Sequence, residues 1–298
     1  MRRAPQSLAG DRMAAYLTLS PSVFLVLLLA GVPTVTVILT ALQRVGMGET
    51  SGPFVGLRNF VWALSDQSFY SSLGHTFVWV FGSVALEMTL GLSLAVLLNK
   101  KFKFRGIARA IIMTPYLIPS VVAVLVWRYM FHDMVGIINA ALMGIGLIKA
   151  PILWLDSPAN AMLSVIIVGV WKFFPFVVIA LLGILQSIPQ EQYEAAQIDG
   201  ASPIQQFWRI TLPHLLPVFL ITALVRTIWN FQKFDIIYLM TGGGPLDATT
   251  TLPVLIYLKG FTDFQFGRAA AVAILACIVL GILAAIYLTL IKLAEKRL

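Results

Sequence analysis

The chain has 298 residues, 59% of them hydrophobic and 11% charged, with 21 Lys and Arg against 13 Asp and Glu for a formal net charge of +8. A soluble domain carries about 25% charged residues, so this composition excludes an ordinary soluble globule and points to an integral membrane protein. The basic excess is not interleaved with aromatics on a polar surface, which sets nucleic acid aside as a partner, and the single Cys277 leaves no disulfide or Cys-ligated metal to build.

A helix needs about 20 apolar residues to cross the hydrocarbon layer. Six segments reach that length, at about 14–42, 73–98, 107–131, 159–185, 214–241 and 268–292. They define an all-α integral membrane domain over 14–292, with short tails at 1–13 and 293–298. The N-terminal run begins like a signal-peptide n-region, but its apolar stretch is too long for one and lacks a clear cleavage site, so it reads as a retained first span. Pro115 and Pro119 in the third segment and Pro217 in the fifth predict bends rather than breaks.

Orientation follows the cationic loops. Arg2, Arg3 and Arg12, then Lys100, Lys101, Lys103, Arg105 and Arg109, then Lys292, Lys296 and Arg297 all fall on one side of a six-span chain. Both termini and the 186–213 connection are therefore expected in the cytoplasm. The opposite loops carry Arg44, Arg58, Lys149 and Lys259, with Arg128 and Arg268 near helix ends. Residues 135–148 are apolar but too short to span, and either lie at the interface or cover helix ends. Trp62 and Trp154 fit an aromatic belt. Thr241-Gly242-Gly243-Gly244-Pro245 predicts a sharp turn at the outer end of span five.

The connection between spans four and five is the long polar interruption in the second half of the chain. Pro189 suits the first position of a short helix, Glu191 its first turn, and Gly200 the left-handed position that ends it. Ser202, Pro203 and Gln205 restart a helix with a capping box, and Pro213 is expected to follow that second short helix. Glu194, Ala195 and Ala196 lie on the first arm, Ile210 and Leu212 at the end of the second, and Phe207 and Trp208 offer apolar anchors. The bland alternative is an amphipathic loop resting on lipid headgroups. The spacing favours a helix–turn–helix elbow suited to docking against another protein.

Charged side chains inside spans are costly and usually face a bundle interior or an aqueous cavity. Glu87, Lys172, Arg226, Lys233 and Asp235 are the candidates. Arg226, Asn230 and Lys233 share one helix face, with Trp229 and Gln232 on an adjacent strip. Asn230, Gln232, Trp229 and Trp171 have the chemistry a sugar site needs, amides for hydroxyls and flat rings for the apolar sugar face. The structural alternative stays open at each position: Lys172 can snorkel or pair with a carboxylate, and Asp235 can neutralise Lys233 or Arg226. No metal-ligand spacing joins His75, His132 and His214, and neither a nucleophile elbow nor a P-loop is present, so no catalytic residue is assigned.

The pattern Glu194-Ala195-Ala196, Gly200, Ile210, Leu212-Pro213 resembles, without gaps, the signature of permease subunits of binding-protein-dependent ABC importers. The resemblance covers nearly the whole chain. It implies the type I importer fold, six spans with a coupling-helix elbow seated on a cytoplasmic ATPase. It also implies a second homologous permease, two ATPase subunits that bind the ATP and Mg, an extracytoplasmic binding protein, and a bacterial or archaeal inner membrane. No cofactor is implied in this chain, and no enzymatic activity. Trp171-Lys172-Phe173-Phe174-Pro175-Phe176, and Trp229 through Tyr238 leading into Thr241–Pro245, are similar to the carbohydrate group of maltose and glycerol-3-phosphate type, specifically the first of its two permeases. That implies a sugar or glycoside as cargo. Four other readings compete: a secondary transporter using Glu87, Lys233 and Asp235 as a proton site, an importer for an anionic cargo such as a glycerophosphate or acidic glycoside, a multi-pass enzyme acting on lipid-linked sugars, and a permease of the same superfamily for peptides or metals, against which the span-five resemblance argues.

Overall fold

The computed structural model describes residues 8–100 and 102–295. Arg2, Arg3, Lys101, Lys296 and Arg297, on which part of the orientation argument rests, lie outside the described residues, as do the outer parts of both expected tails. The described chain is helical, and its one extended pairing is an isolated antiparallel bridge between Gln43 and Phe54. Among the described residues, five helices are long and apolar enough to cross a membrane: Tyr16–Ala41, Gln67–Asn99, Pro158–Leu185, Pro203–Phe231 and Phe266–Leu293. The bent pair Arg105–Leu117 and Ser120–Met130 supplies a sixth. The chain divides into two compact units, Met1–Ser65 with Leu258–Ile274 and Asp66–Tyr257 with Leu275–Leu298.

In the first unit, span one ends at Ala41, and the loop beyond it folds back on itself. The Arg44 N–H donates to Pro53 O at 3.0 Å and the Val55 N–H to Leu42 O at 2.8 Å. A short amphipathic helix, Arg58–Ser65, follows. Its buried Asn59 donates to the carbonyls of Ala41 and Gln43 at 2.8 and 2.9 Å, satisfying acceptors that the end of a helix leaves free. The start of span six packs tightly here: a Cβ on Gly267 would lie 2.2 Å from Gln43 O. Ala41, Ala270 and Ala271 form the small core of this unit, with Phe60 and Ile274 against it.

In the second unit, spans two and four run against each other over much of their length. The approach is close because small residues line it. A Cβ on Gly91 would stand 2.4 Å from Val177 Cγ1, and one on Gly169 would stand 2.4 Å from the Trp79 ring. The loop ahead of span four carries the helix Ile137–Gly144. It is organised by buried Asn139, which donates to Asp133 O and Ile152 O and accepts from the Ile152 N–H and the Trp154 indole.

The prolines behave differently from one another. Pro115 and Pro217 sit inside continuous helices. At Pro119 the third span breaks outright, its halves meeting at 95°, where only a bend was expected. A proline disfavours helical backbone in the residue before it, and Ile118 accordingly adopts φ −68°, ψ 131°. The Ile118 carbonyl, freed by the break, accepts from the ammonium of Lys172 in span four.

Span five departs from expectation at both ends. Pro213 does not end the second elbow helix, because Pro203 to Phe231 is one apolar helix. A widened π turn at Phe207–Thr211 precedes the proline, with the Leu212 N–H donating to Phe207 O. The same device occurs in span one, where a π turn at Leu27–Gly31 precedes Pro33. A proline ring clashes with the carbonyl four residues back, here Arg209 and Leu29, and both lie within the widened turns. At its other end span five stops at Phe231, and Asp235–Thr241 is a separate helix. Lys233 and Asp235 therefore lie just past the end of the span. The turn at Thr241–Pro245 forms as expected, with Gly242 and Gly243 at φ +64° and +95°. Thr249 and Thr250 tie it, donating to Gly244 O and Gly243 O at 2.9 and 3.0 Å.

Candidate functional site: the elbow and the polar cluster of span five

The first arm, the Gly200 turn and the capping box of the elbow form as the sequence predicts, with Pro189 one place earlier, as N-cap rather than first helical residue. The first arm is Gln190–Ile198 with Pro189 as its N-cap and Glu191 in its first turn. Gly200 takes φ +77°, a backbone conformation that costs a side-chain-bearing residue steric strain. Ser202 and Gln205 form the reciprocal capping box. The two arms are then tied together by Tyr193, whose hydroxyl meets the Thr211 hydroxyl at 2.9 Å. Glu194, Ala195, Gly200 and Trp208 are exposed, while Ala196, Ile210, Leu212 and Pro213 are half-buried. The feature with most consequence is apolar exposure: Ile198 is 88% exposed, Ile204 71% and Trp208 61%. Each side chain alone is unremarkable on a surface. All three stand on a connection whose backbone is fixed at Gly200, by the capping box and by the contact between its arms.

The polar residues of the spans separate into two groups. Glu87 of span two and Arg226 of span five are both almost wholly buried and form a bidentate pair at 2.6 and 2.8 Å. Asn230 closes the network, accepting from Arg226 at 3.0 Å and donating to Glu87 at 3.3 Å. The carbonyl of Asn230 is in turn held by the Trp79 indole at 2.9 Å. The spacing that puts Arg226 and Asn230 on one helix face thus serves a closed internal triad. A buried charge pair is tolerated when geometry is good and the remaining lone pairs are filled, and both conditions hold here.

The second group lies at the end of span five. Trp229 and Gln232 are exposed, and Lys233 and Asp235 form a partly exposed pair at 3.6 Å. Trp229 rests on Phe176, with ring centroids 5.0 Å apart. Trp171 stands edge-on to Trp127 at 5.4 Å, so its ring is engaged in packing. Lys172 is buried and bonded to the Ile118 carbonyl, with no carboxylate partner among the described residues.

Sequence reasoning missed the aromatic floor beneath these groups. Phe173 carries three cations over its ring, Arg226, Lys233 and Lys172 at 4.6, 4.8 and 5.6 Å from the centroid, a stabilising arrangement for charge held away from water. Tyr116 stacks on Phe176 and meets Phe173 edge-on. The signal was present in the run Trp171 to Phe176, whose aromatic density exceeds what a lipid-facing strip requires.

A family model for the inner membrane component of binding-protein-dependent transport systems matches residues 87–298. The chain belongs to this family. The match takes in the triad, the elbow and the polar end of span five. The chain is 38% identical over 273 residues to the trehalose/maltose transport system permease protein of Thermococcus litoralis, covering 92% of both. It is 34% identical over 291 residues to the sulfoquinovosyl glycerol transport system permease protein of Agrobacterium fabrum, covering 95% of this chain and 92% of that one. Among solved structures, a chain of a bacterial ABC transporter involved in importing the acidic polysaccharide alginate superposes with a TM-score of 0.83, at 22% identity and over 95% and 96% of the two chains. The all-α importer fold is thereby shown. Membership also places the protein in the inner membrane as a multi-pass component.

Proposed function

We propose that this chain is the permease subunit of an ATP-driven sugar importer, forming half of the translocation pathway and receiving its driving force through the elbow. The observation that carries the reading is the exposure of Ile198, Ile204 and Trp208 on an elbow locked by Gly200, the capping box and the Tyr193–Thr211 contact. A rigid elbow transmits displacement, and the exposed apolar side chains on it require a cover. A cytoplasmic ATPase subunit, one of two, is the cover that the family context supplies. The remaining partners are a second permease subunit and an extracytoplasmic binding protein.

Sugar as the cargo class is supported by the trehalose/maltose and sulfoquinovosyl glycerol relatives. Exposed Trp229 and Gln232 offer a ring face and an amide for a sugar. Arg226 is matched by Glu87, Lys233 lies beside Asp235, and Lys172 is bonded to a carbonyl. Two of these cations are thus matched by carboxylates, and Lys172 keeps its charge against a neutral carbonyl. Closure of the ATPases would move the elbow and shift the spans between outward-open and inward-open states, each ligand acting through its differential affinity for the two. Both termini and the elbow are cytoplasmic in this reading.

Glu194→Lys and Gly200→Val test it. Coupling between sites is typically worth a factor of about 5–150. Both variants are expected to insert normally while ATP-driven uptake of a disaccharide in vesicles falls by about tenfold or more, within that range. Normal uptake by both would overturn the reading.

A further inference from the structure

The first unit holds a cavity of about 750 Å³ that plays no part in the site described above. It is lined by three arginines, Arg44, Arg58 and Arg268, by Trp62 and by one carboxylate, Glu49. Glu49 is already occupied, accepting from the Gly46 N–H at 2.8 Å. Arg268 is held in place: its guanidinium lies 4.5 Å from the centroid of the Trp62 ring and donates to Gln265 at 2.8 Å. The side chains of Arg44 and Arg58 make no hydrogen bond or ion pair with any described residue. The cavity thus gathers three guanidinium groups against one engaged carboxylate, and the planar fork of a guanidinium matches the oxygens of a phosphate.

The depth of the cavity selects the source of that phosphate. Its walls are built from the loop that follows span one, the short amphipathic helix between spans one and two and the beginning of span six, all of them in one compact unit. Span ends lie at the level of the lipid headgroups. Exposed apolar side chains also line the cavity: Val61 is 62% exposed and Phe264 40%. An acidic protein loop arriving from water suits polar side chains at such places, whereas acyl chains suit apolar ones. Counted along the chain, the connections after span one and before span six lie on the side away from the elbow connection.

We propose that this cavity binds the phosphate headgroup of an anionic phospholipid of the outer leaflet, with Arg44 and Arg58 contacting the phosphate and Arg268 held beside them by Trp62. The acyl chains leave the cavity along Val61 and Phe264.

The test is native mass spectrometry of the assembled transporter from bilayers holding equal amounts of phosphatidylglycerol and phosphatidylcholine. Phosphatidylglycerol is expected to be retained preferentially. An arginine at an anionic membrane surface contributes roughly a fivefold factor in affinity, so R58Q should lower that retention about fivefold, R44Q/R58Q should lower it further, and R58K should restore most of it. Inorganic phosphate should not displace the lipid, since it offers nothing to Val61 and Phe264. Equal retention of the two lipids, or enrichment unchanged in R44Q/R58Q, would overturn the proposal. So would loss of binding-protein affinity in R44Q/R58Q with lipid retention intact, because that result assigns the pocket to an acidic protein loop. Lipid retention requires no ATP, so failure of the elbow variants and failure of this test remain distinguishable.

Discussion

At the scale of single residues, the Glu87–Arg226–Asn230 triad is the polar feature whose removal has the clearest consequence. Its members come from spans two and five, and its atoms are shielded from water. Removing one partner of a buried pair leaves the other charge uncompensated, at a cost of about 3–5 kcal/mol. Replacing both by apolar groups of similar volume is often neutral. Arg226→Met and Glu87→Leu are each expected to lower thermal stability in detergent sharply, and the double variant to recover most of the loss. Additive losses in the double variant would show instead that each residue works independently, against a second partner. The pairing also explains why the sequence left these residues ambiguous. Spacing along span five places Arg226, Asn230 and Lys233 together, but Glu87 lies 139 positions earlier than Arg226, and nothing local to either residue announces the other. Lys172 is the sharper instance: its partner is a backbone carbonyl that becomes available only because the third span breaks at Pro119.

At the scale of elements, stability in the second unit depends on how closely spans two and four approach. Gly169 faces the ring of Trp79, and an added Cβ would stand 2.4 Å from it. Overfilling a packed contact costs about 1–3 kcal/mol, and here the strain falls on the Trp79 indole that holds the Asn230 carbonyl. Gly169→Val is therefore expected to destabilise the protein by at least about that amount and to perturb tryptophan fluorescence. Gly183→Ala, where a Cβ meets nothing within 4 Å, should leave both unchanged. The elements differed in how readable they were. The elbow was legible almost to the residue because capping boxes, left-handed glycines and first-turn acids are local chemistry, written within four or five positions. The end of that elbow was not, since a π turn lets the helix run through Pro213 and sequence marks proline without marking the widening that accommodates it. Span five was read as ten residues too long at its outer end for a related reason. The residues 232–241 are apolar enough to continue a helix, and the interruption after Phe231 is set by packing, with Phe234 stacked on Tyr238 and both against Tyr257.

At the scale of the whole molecule, the question is where the energy for transport enters. A secondary transporter needs a titratable group that water reaches from alternate sides. Of the three residues that the sequence offered for that role, Glu87 is sealed in a bidentate pair, and Lys233 and Asp235 lie beside each other just past the end of span five. Lipid headgroups would cover exposed apolar side chains in either machine, so it is the fixed geometry of the elbow that favours an importer driven through it. The two mechanisms diverge in a reconstituted system. Vesicles containing the two permeases and the binding protein, without the ATPases, are expected to show no uptake of a disaccharide under an imposed proton gradient. Adding the ATPases with ATP and Mg should restore uptake, and Gly200→Val should lower the restored uptake about tenfold or more while the complex still forms. Strain explains the last step, since a β-branched residue at φ +77° is held at a cost of about 1–3 kcal/mol. An elbow that relieves this strain by rotating loses the fixed angle through which displacement passes. Gradient-driven uptake without the ATPases would place the driving force inside this chain and leave the elbow without its assigned role.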